Sequence, residues 1–376
     1  MGDMTRRDAV KTVAAAAVVA TGCSRAKGPA VAKAAPPVDS VLKVVRLPDA
    51  GPWPTLDPFL FCVHHNDQYP AGNAQLGPNA SLAGRRIGQD FGNKDGWSMY
   101  HGDVVPGFPR HPHRGFETVT VVRSGLIDHA DSLGAAARYG DGDVQWLTAG
   151  DGINHAEMFP LLRRDAPNPI DFFQIWLNLP KVDKRVKPYF SMFWANEVPQ
   201  VTHTDAAGRR TEVTVVAGPL EGTTPSSPPP NSWASRPDSD LAIWTARLAP
   251  NAAWTLPAAK PGTNRSVYVV NGGGLQVAGR TVARRHQLIL RPDVPTTVTA
   301  SAEPVELLVL QGRPIGEPVV QHGPFVMNTR EEIAQAFQDY RRTQFGGWPW
   351  PGADPVHGDQ PRRFARHADG RTESPG

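Results

Sequence analysis

At 376 residues, with Pro 38 and Gly 36 set among short runs rich in Val, Thr and Leu, the chain is long enough for two cores and reads as many short strands joined by tight turns. Lys+Arg 39 against Asp+Glu 36 leaves a formal charge of +3, too balanced for the broad basic face with which a nucleic-acid binder displaces counterions, so nucleic acid is not an expected partner. The two cysteines, Cys23 and Cys62, fall on opposite sides of an expected processing site and support no disulfide framework.

The first element is an address. "TRRDAVKTVAAAAVVATGC" carries paired Arg6 and Arg7, then an apolar stretch, Val13 to Gly22, too short to span a bilayer as a mature helix. Its weak hydrophobicity suits twin-arginine export, and "ATGC" has the form of a lipobox, so residues 1–23 read as a signal that leaves Cys23 lipidated. Cleavage elsewhere, with Cys23 discarded, is the alternative. Residues 24–40 offer no periodic apolar face and read as a flexible tether. The expectation is an exported protein, periplasmic or membrane-anchored, that touches the membrane only through Cys23 and is monomeric. Twin-arginine export carries folded protein, so a metal could be loaded in the cytoplasm, before copper and zinc outcompete iron or manganese for a nitrogen/oxygen site.

Residues 41–200 form the first expected unit. In "FLFCVHH", Cys62 reads as a small buried hydrophobe, and the adjacent His64 and His65 point to opposite faces of a strand. "RHPHRGFETVTVV" then places His111 and His113 on one face at the mouth of a β-branched run, and "GDVQWLTAGDGINHAEMF" places His155 and Glu157 likewise. Side by side in a small barrel the two pairs would converge. Three neutral imidazoles and a carboxylate suit a divalent transition metal of borderline character, iron first, then manganese, nickel, copper or zinc, with open positions for substrate and oxygen. Paired HxH and HxE motifs beside Gly-rich turns outweigh the reading of scattered surface histidines. Glu117 has the same parity as 111 and 113 and rivals Glu157 for the fourth position; spacing leaves both open. Of the neighbours, His101 reads either as a hydrogen-bonding group near metal or substrate or as a satisfied loop residue. Trp146 and Phe116 read as barrel core, Arg114 points off the ligand face, and His129 reads as a surface residue.

The second unit, 201–320, looks like a copy of the first, since "TVTVVRSGLIDHADSLG" (118–134) has a counterpart in "SVYVVNGGGLQVAGRTV" (266–282). The Pro/Ser-rich stretch 222–240 is a loop within it. Aligning the two β runs sets Ala259 and Pro261 opposite His111 and His113, and Thr297 to Ala300 opposite His155 and Glu157. None of these binds a metal, so the second barrel is expected to be a metal-free scaffold. Residues 321–347 hold a motif and a helix: Thr329 and Glu332 make a capping box, Ile333, Phe337 and Tyr340 form a stripe, basic residues fill the last turn and Gly346 follows. The stripe is expected to pack across the two halves. The 348–376 tail shows no periodicity and is expected to be exposed or disordered.

"HPHRGFETVT", "GDVQWLTAGDGINHAEM" and "GPFVMNTREEI", in this order over most of residues 50–345, resemble the pirin family, a bicupin group of the cupin superfamily. The resemblance implies a mostly β chain of two tandem cupin-type barrels with a C-terminal helix. It implies a metal held by His111, His113, His155 and Glu157, with Glu117 off the metal. It also implies a flavonol 2,4-dioxygenase (quercetinase) activity on a small phenolic or flavonol-like substrate with O2, in which Glu157 is ligand and proton acceptor together. An apparent insertion, Asn73 to Trp97, and the export signal depart from the family plan. The other reading is a metal-bearing interaction or redox-sensing module of the cell envelope without turnover.

Overall fold

The computed structural model describes residues 39–376. The expected signal, Cys23 and nearly all of the tether lie outside the described residues. Strands β1 (Val41–Arg46) and β2 (Phe59–Tyr69) precede the 73–97 segment. There follow β3 (Gly107–His113), β4 (Phe116–Ser124), β5 (Leu126–Asp131), β6 (Ala136–Gly140), β7 (Val144–Thr148), β8 (Ile153–Met158), β9 (Asn168–Asn178) and β10 (Tyr189–Phe193). The second half runs through β11 (Gln200–Thr204), β12 (Arg210–Ala217), β13 (Ala242–Leu248), β14 (Ala253–Leu256), β15 (Asn264–Gly272), β16 (Leu275–Val277), β17 (Arg280–Val282), β18 (His286–Leu290), β19 (Thr296–Ala300) and β20 (Val305–Gly312). A hairpin, β21 (Val320–His322) and β22 (Phe325–Met327), leads to the helix α1 (Arg330–Thr343), and the tail adds β23 (Phe364–Arg366) and β24 (Thr372–Glu373).

Two barrels result, as expected. The first is built from sheets ordered β10-β7-β4-β9-β2 and β24-β23-β6-β5-β8-β3, the second from β1-β18-β15-β20-β13-β12-β11 and β14-β19-β16-β17. The repeated sequence occupies equivalent places, since β4 lies between β7 and β9 as β15 lies between β18 and β20. Parity explains why both runs are apolar on both faces. Val119 and Val121 of β4 pack with Tyr268 and Val270 of β15 in a core between the barrels, while Val122 faces the first interior and Val267 and Val269 fill the second. Each such side chain, fully buried, contributes about 1.5–3 kcal/mol.

Two expectations are corrected here. The unit drawn from residue 41 loses its first strand, because β1 pairs antiparallel with β18 of the second barrel. The far side of β18 is an edge whose unpaired amides and carbonyls need a partner, and β1 supplies it. The tail is not loose either: β23 pairs with β6, Ala365 is fully buried, and the Trp350 Nε1–H donates to the Asp131 carbonyl at 2.8 Å. Its docking depends on backbone carbonyls and single anchors, which leave no periodic signature. Helix α1 carries the expected capping box, with Thr329 and Glu332 each bonding the other's backbone amide. It ends at Gln344, whose left-handed φ of 48° makes the cap ahead of Gly346. The helix packs on Phe325 and Met327 of β22 and on Phe345. Its Asp339 accepts from Arg114 at 2.8 Å, which ties it to the first barrel directly behind the HPH motif.

Candidate metal centre

Strands β3 and β8 run antiparallel, with His111 directly opposite His155. Their rings lie 4.4 Å apart, and His113, the next residue on the same face of β3, stands 4.8 Å from His111 and 4.9 Å from His155. One nitrogen from each of the three rings lies within 4.8 Å of the others. Gly115, at φ 84°, turns the chain between β3 and β4, so the parity shared by 111, 113 and 117 is not carried through the turn. Two residues along β8, Glu157 comes to 3.9 Å from His155, Oε2 to Nε2. Its Oε2 accepts from Gln174 at 2.7 Å and its Oε1 from Thr120 at 3.4 Å.

The donor set fits a cation. The Nδ1–H of His111 donates to the Pro109 carbonyl at 2.8 Å, which leaves Nε2 as the lone-pair nitrogen. His113 Nδ1 and both nitrogens of His155 are buried with no hydrogen-bond partner among the described residues. Orphans of this kind cost about 1–3 kcal/mol each unless something binds them. Burial holds all three imidazoles neutral: His111 is lowered to about 4, and His113 and His155 fall well below the usual range, with like neighbours adding to the effect. Burial raises the Glu157 carboxyl, opposed by His129, Gln174 and Thr120.

Above the cluster opens a cavity of about 1030 Å³. His111, His113, Gln174 and Trp176 border it, and Phe61 stacks on Trp176 with centroids 4.7 Å apart. The 73–97 segment supplies Phe91 and Asn93 to the mouth.

Glu117 is buried away from the cluster. Its Oε1 accepts from Thr148 at 2.7 Å and its Oε2 from Ser232 at 2.6 Å, so the Pro/Ser-rich loop of the second unit is bonded to β4 of the first. Burial raises its pKa to about 7, against the partial opposition of Ser232 and Thr148. A carboxyl with a native pKa above its unfolded value binds its proton more tightly when folded, so its contribution is whole below about pH 4.5 and is lost as pH climbs to about 7. Glu117→Gln, which keeps one acceptor oxygen and carries no charge, is expected to remove a decline on the order of 3 kcal/mol over that interval. Urea melts of both proteins at pH 5 and pH 8 measure it; parallel pH dependences would show that Glu117 is not the source.

His129 is corrected most sharply. It is fully buried, directly across β5–β8 from Glu157, with its ring 5.6 Å from that of His155. In "LIDHAD" it shares parity with Ile127, an interior residue, and that was the available signal. Trp146 and Phe116 are core, and Arg114 points away to Asp339 and Asp151. His64 bonds Asp171 while His65 bonds Tyr100, on opposite faces of β2. In the second barrel β14 stops at Leu256, so Ala259 and Pro261 lie beyond it, and the interior rung is Trp254 against Val298.

The family model described as Pirin matches residues 48–177, and the Pirin C-terminal cupin domain matches residues 243–346. A Pseudomonas aeruginosa protein provisionally named quercetin 2,3-dioxygenase is 37% identical over 239 residues, 64% of this chain and 79% of that one. Human pirin is 33% identical over 252 residues, covering 66% of this chain and 80% of its own. The crystal structure of quercetin 2,3-dioxygenase from Acinetobacter baumannii superposes with a TM-score of 0.62 at 25% identity, over 82% of this chain and 96% of that one.

Proposed function

Because the chain belongs to the pirin family of bicupins, we propose that it is a metal-dependent dioxygenase that opens a flavonol-like phenol with O2, in the manner of a quercetinase. The observation that carries this reading is the meeting of three imidazoles beneath an aromatic-walled cavity, two of them, His113 and His155, buried with nitrogens that have no partner among the described residues. In the proposal His111, His113, His155 and Glu157 hold one divalent ion, Fe(II) ahead of Mn, Ni, Cu or Zn. Such an ion would supply Lewis acidity toward a substrate oxygen and redox access to O2.

The chain's own residues do the rest. Trp176, with Phe61 stacked behind it, offers a planar substrate an aromatic wall that excludes water from the reacting ring. The Pro109 carbonyl fixes the His111 ring, and with it the direction of Nε2. Glu157 takes the enol proton on a carboxylate oxygen, while Gln174 and Thr120 keep that carboxylate in place. We further place the protein outside the cytoplasm, anchored through lipid on Cys23, on the strength of Arg6–Arg7 and the "ATGC" ending.

An oxygen electrode tests the reaction. Iron-loaded protein with quercetin should consume O2 faster than the same free iron, and Glu157→Gln should slow uptake by about 10²–10⁴-fold. Uptake no greater than that of free iron would leave a metal-binding module in place of an enzyme.

A further inference from the structure

The cavity has a second polar element remote from the imidazole cluster. His101 lies at the mouth, exposed, with its ring edge-on to Phe91 at 5.1 Å and to Phe108 at 6.0 Å. Phe108 is in turn 6.4 Å from His111, so two ring contacts separate His101 from the cluster. Its Nδ1–H donates to the Gly88 carbonyl at 2.7 Å, which leaves Nε2 as the acceptor nitrogen, with no hydrogen-bond partner among the described residues. Gly88 and Phe91 both belong to the 73–97 segment.

The residue before it explains how His101 is held there. Tyr100 has φ 57°, a conformation a bulky side chain adopts only when its surroundings compel it. Three anchors do so. Its backbone pairs with Asp90 through two bonds of 2.8 Å, its hydroxyl donates to Asp67 at 2.7 Å, and the same hydroxyl bonds His65 Nδ1 at 2.8 Å. The left-handed turn sends Tyr100 inward to Asp67 and delivers the next side chain, His101, to the opening. Strain of this type costs about 1–3 kcal/mol and persists where neighbouring bonds over-determine it.

We propose that His101 is a specificity-determining residue whose Nε2 accepts a hydrogen bond from a ring hydroxyl of the substrate, with Tyr100 as its positioning residue. The inference rests on the flavonol reading of the cavity and adds which part of the ligand is read away from the cluster. A flavonol engaged at the cluster through its hydroxyl and ketone would present the hydroxyls of its remaining rings to the mouth. An analogue without them would leave the imidazole unbonded.

The metal-loaded full chain, kept free of oxygen, is titrated with quercetin and with 3-hydroxyflavone, which retains the hydroxyl-ketone pair but lacks the other hydroxyls. Quenching of tryptophan fluorescence reports binding, since Trp53 and Trp176 line the cavity. His101→Phe preserves the ring contacts and should weaken quercetin by about threefold to tenfold, leaving 3-hydroxyflavone affinity and metal content as they were. Tyr100→Phe should lower the quercetin preference by less. An unchanged preference in His101→Phe, or an equal loss for both ligands, would overturn the role of His101 while the flavonol reading stands. A wild-type chain that binds neither ligand would overturn the flavonol reading itself, and this role with it.

Discussion

His155→Ala is expected to take bound metal from about one ion per chain to less than about a tenth, after dialysis against buffer containing the free ion at micromolar level. Loss of an outer hydrogen-bond partner alone typically costs 10–100-fold in metal affinity, and removal of a direct donor costs more. The His155 ring lies 4.4 Å from that of His111 and 4.9 Å from that of His113, and it is the one that Glu157 approaches, at 3.9 Å. The metal-free fold should survive the change. Alanine leaves a void, yet it also removes two buried nitrogens that have no partner among the described residues, and the two effects oppose each other. Elemental analysis beside a thermal melt of the apo form separates ligand loss from unfolding. Full metal content in the variant would sink the three-histidine assignment.

Asp128→Ala is expected to be the most damaging change to stability, at about 3–5 kcal/mol. Asp128 is fully buried and takes both forks of Arg138, Nε and Nη2, at 2.7 Å each. It also accepts from the His357 amide at 2.7 Å, and Arg138 donates to the carbonyls of Gly358 and Gln360. The pair therefore joins the outer face of the first barrel to the tail. Without the carboxylate a guanidinium remains buried with no counter-charge, and the strand pairing of β23 with β6 loses its neighbouring anchor. Urea denaturation gives the loss, and hydrogen exchange at residues 364–366 should rise with it. The double change Asp128→Leu with Arg138→Met should recover much of the stability, because no charge is then left unpaired. A loss below about 1 kcal/mol for Asp128→Ala would show that the tail docks independently of this pair.

The parts of the fold that sequence made legible are those where a local rule and the tertiary environment agree. The run "FETVTVV" is read as a strand because its β-branched residues suit a pleated surface, and both of its faces do find apolar partners. Helix α1 is read from Thr329 and Glu332 because a capping box is completed within four residues. His111 and His113, and His155 and Glu157, are read as same-face pairs because the period of a strand is two.

Other residues were decided at a distance. Glu117 has the right parity by count, but the Gly115 turn breaks the strand, and Thr148 and Ser232 claim its oxygens. His129 shares parity with Ile127, yet that this face of β5 turns inward is settled only where β5 pairs with β8 and sets His129 across from Glu157. Strand β1 follows no signal that assigns it to the second barrel; the open edge of β18 assigns it.

The sequence by itself determined the strand content, the internal repeat, the helix with its cap, and the two histidine-bearing pairs, since each is written in residues a few positions apart. The tertiary structure alone decided that His111 and His155 face each other, that Glu157 comes beside His155 and Glu117 does not, that the tail adds a strand to the first barrel at β6, and that Tyr100 turns His101 to the cavity mouth. Those outcomes depend on strand register and on which edges and buried charges still lack partners, and such quantities exist only once distant segments have met.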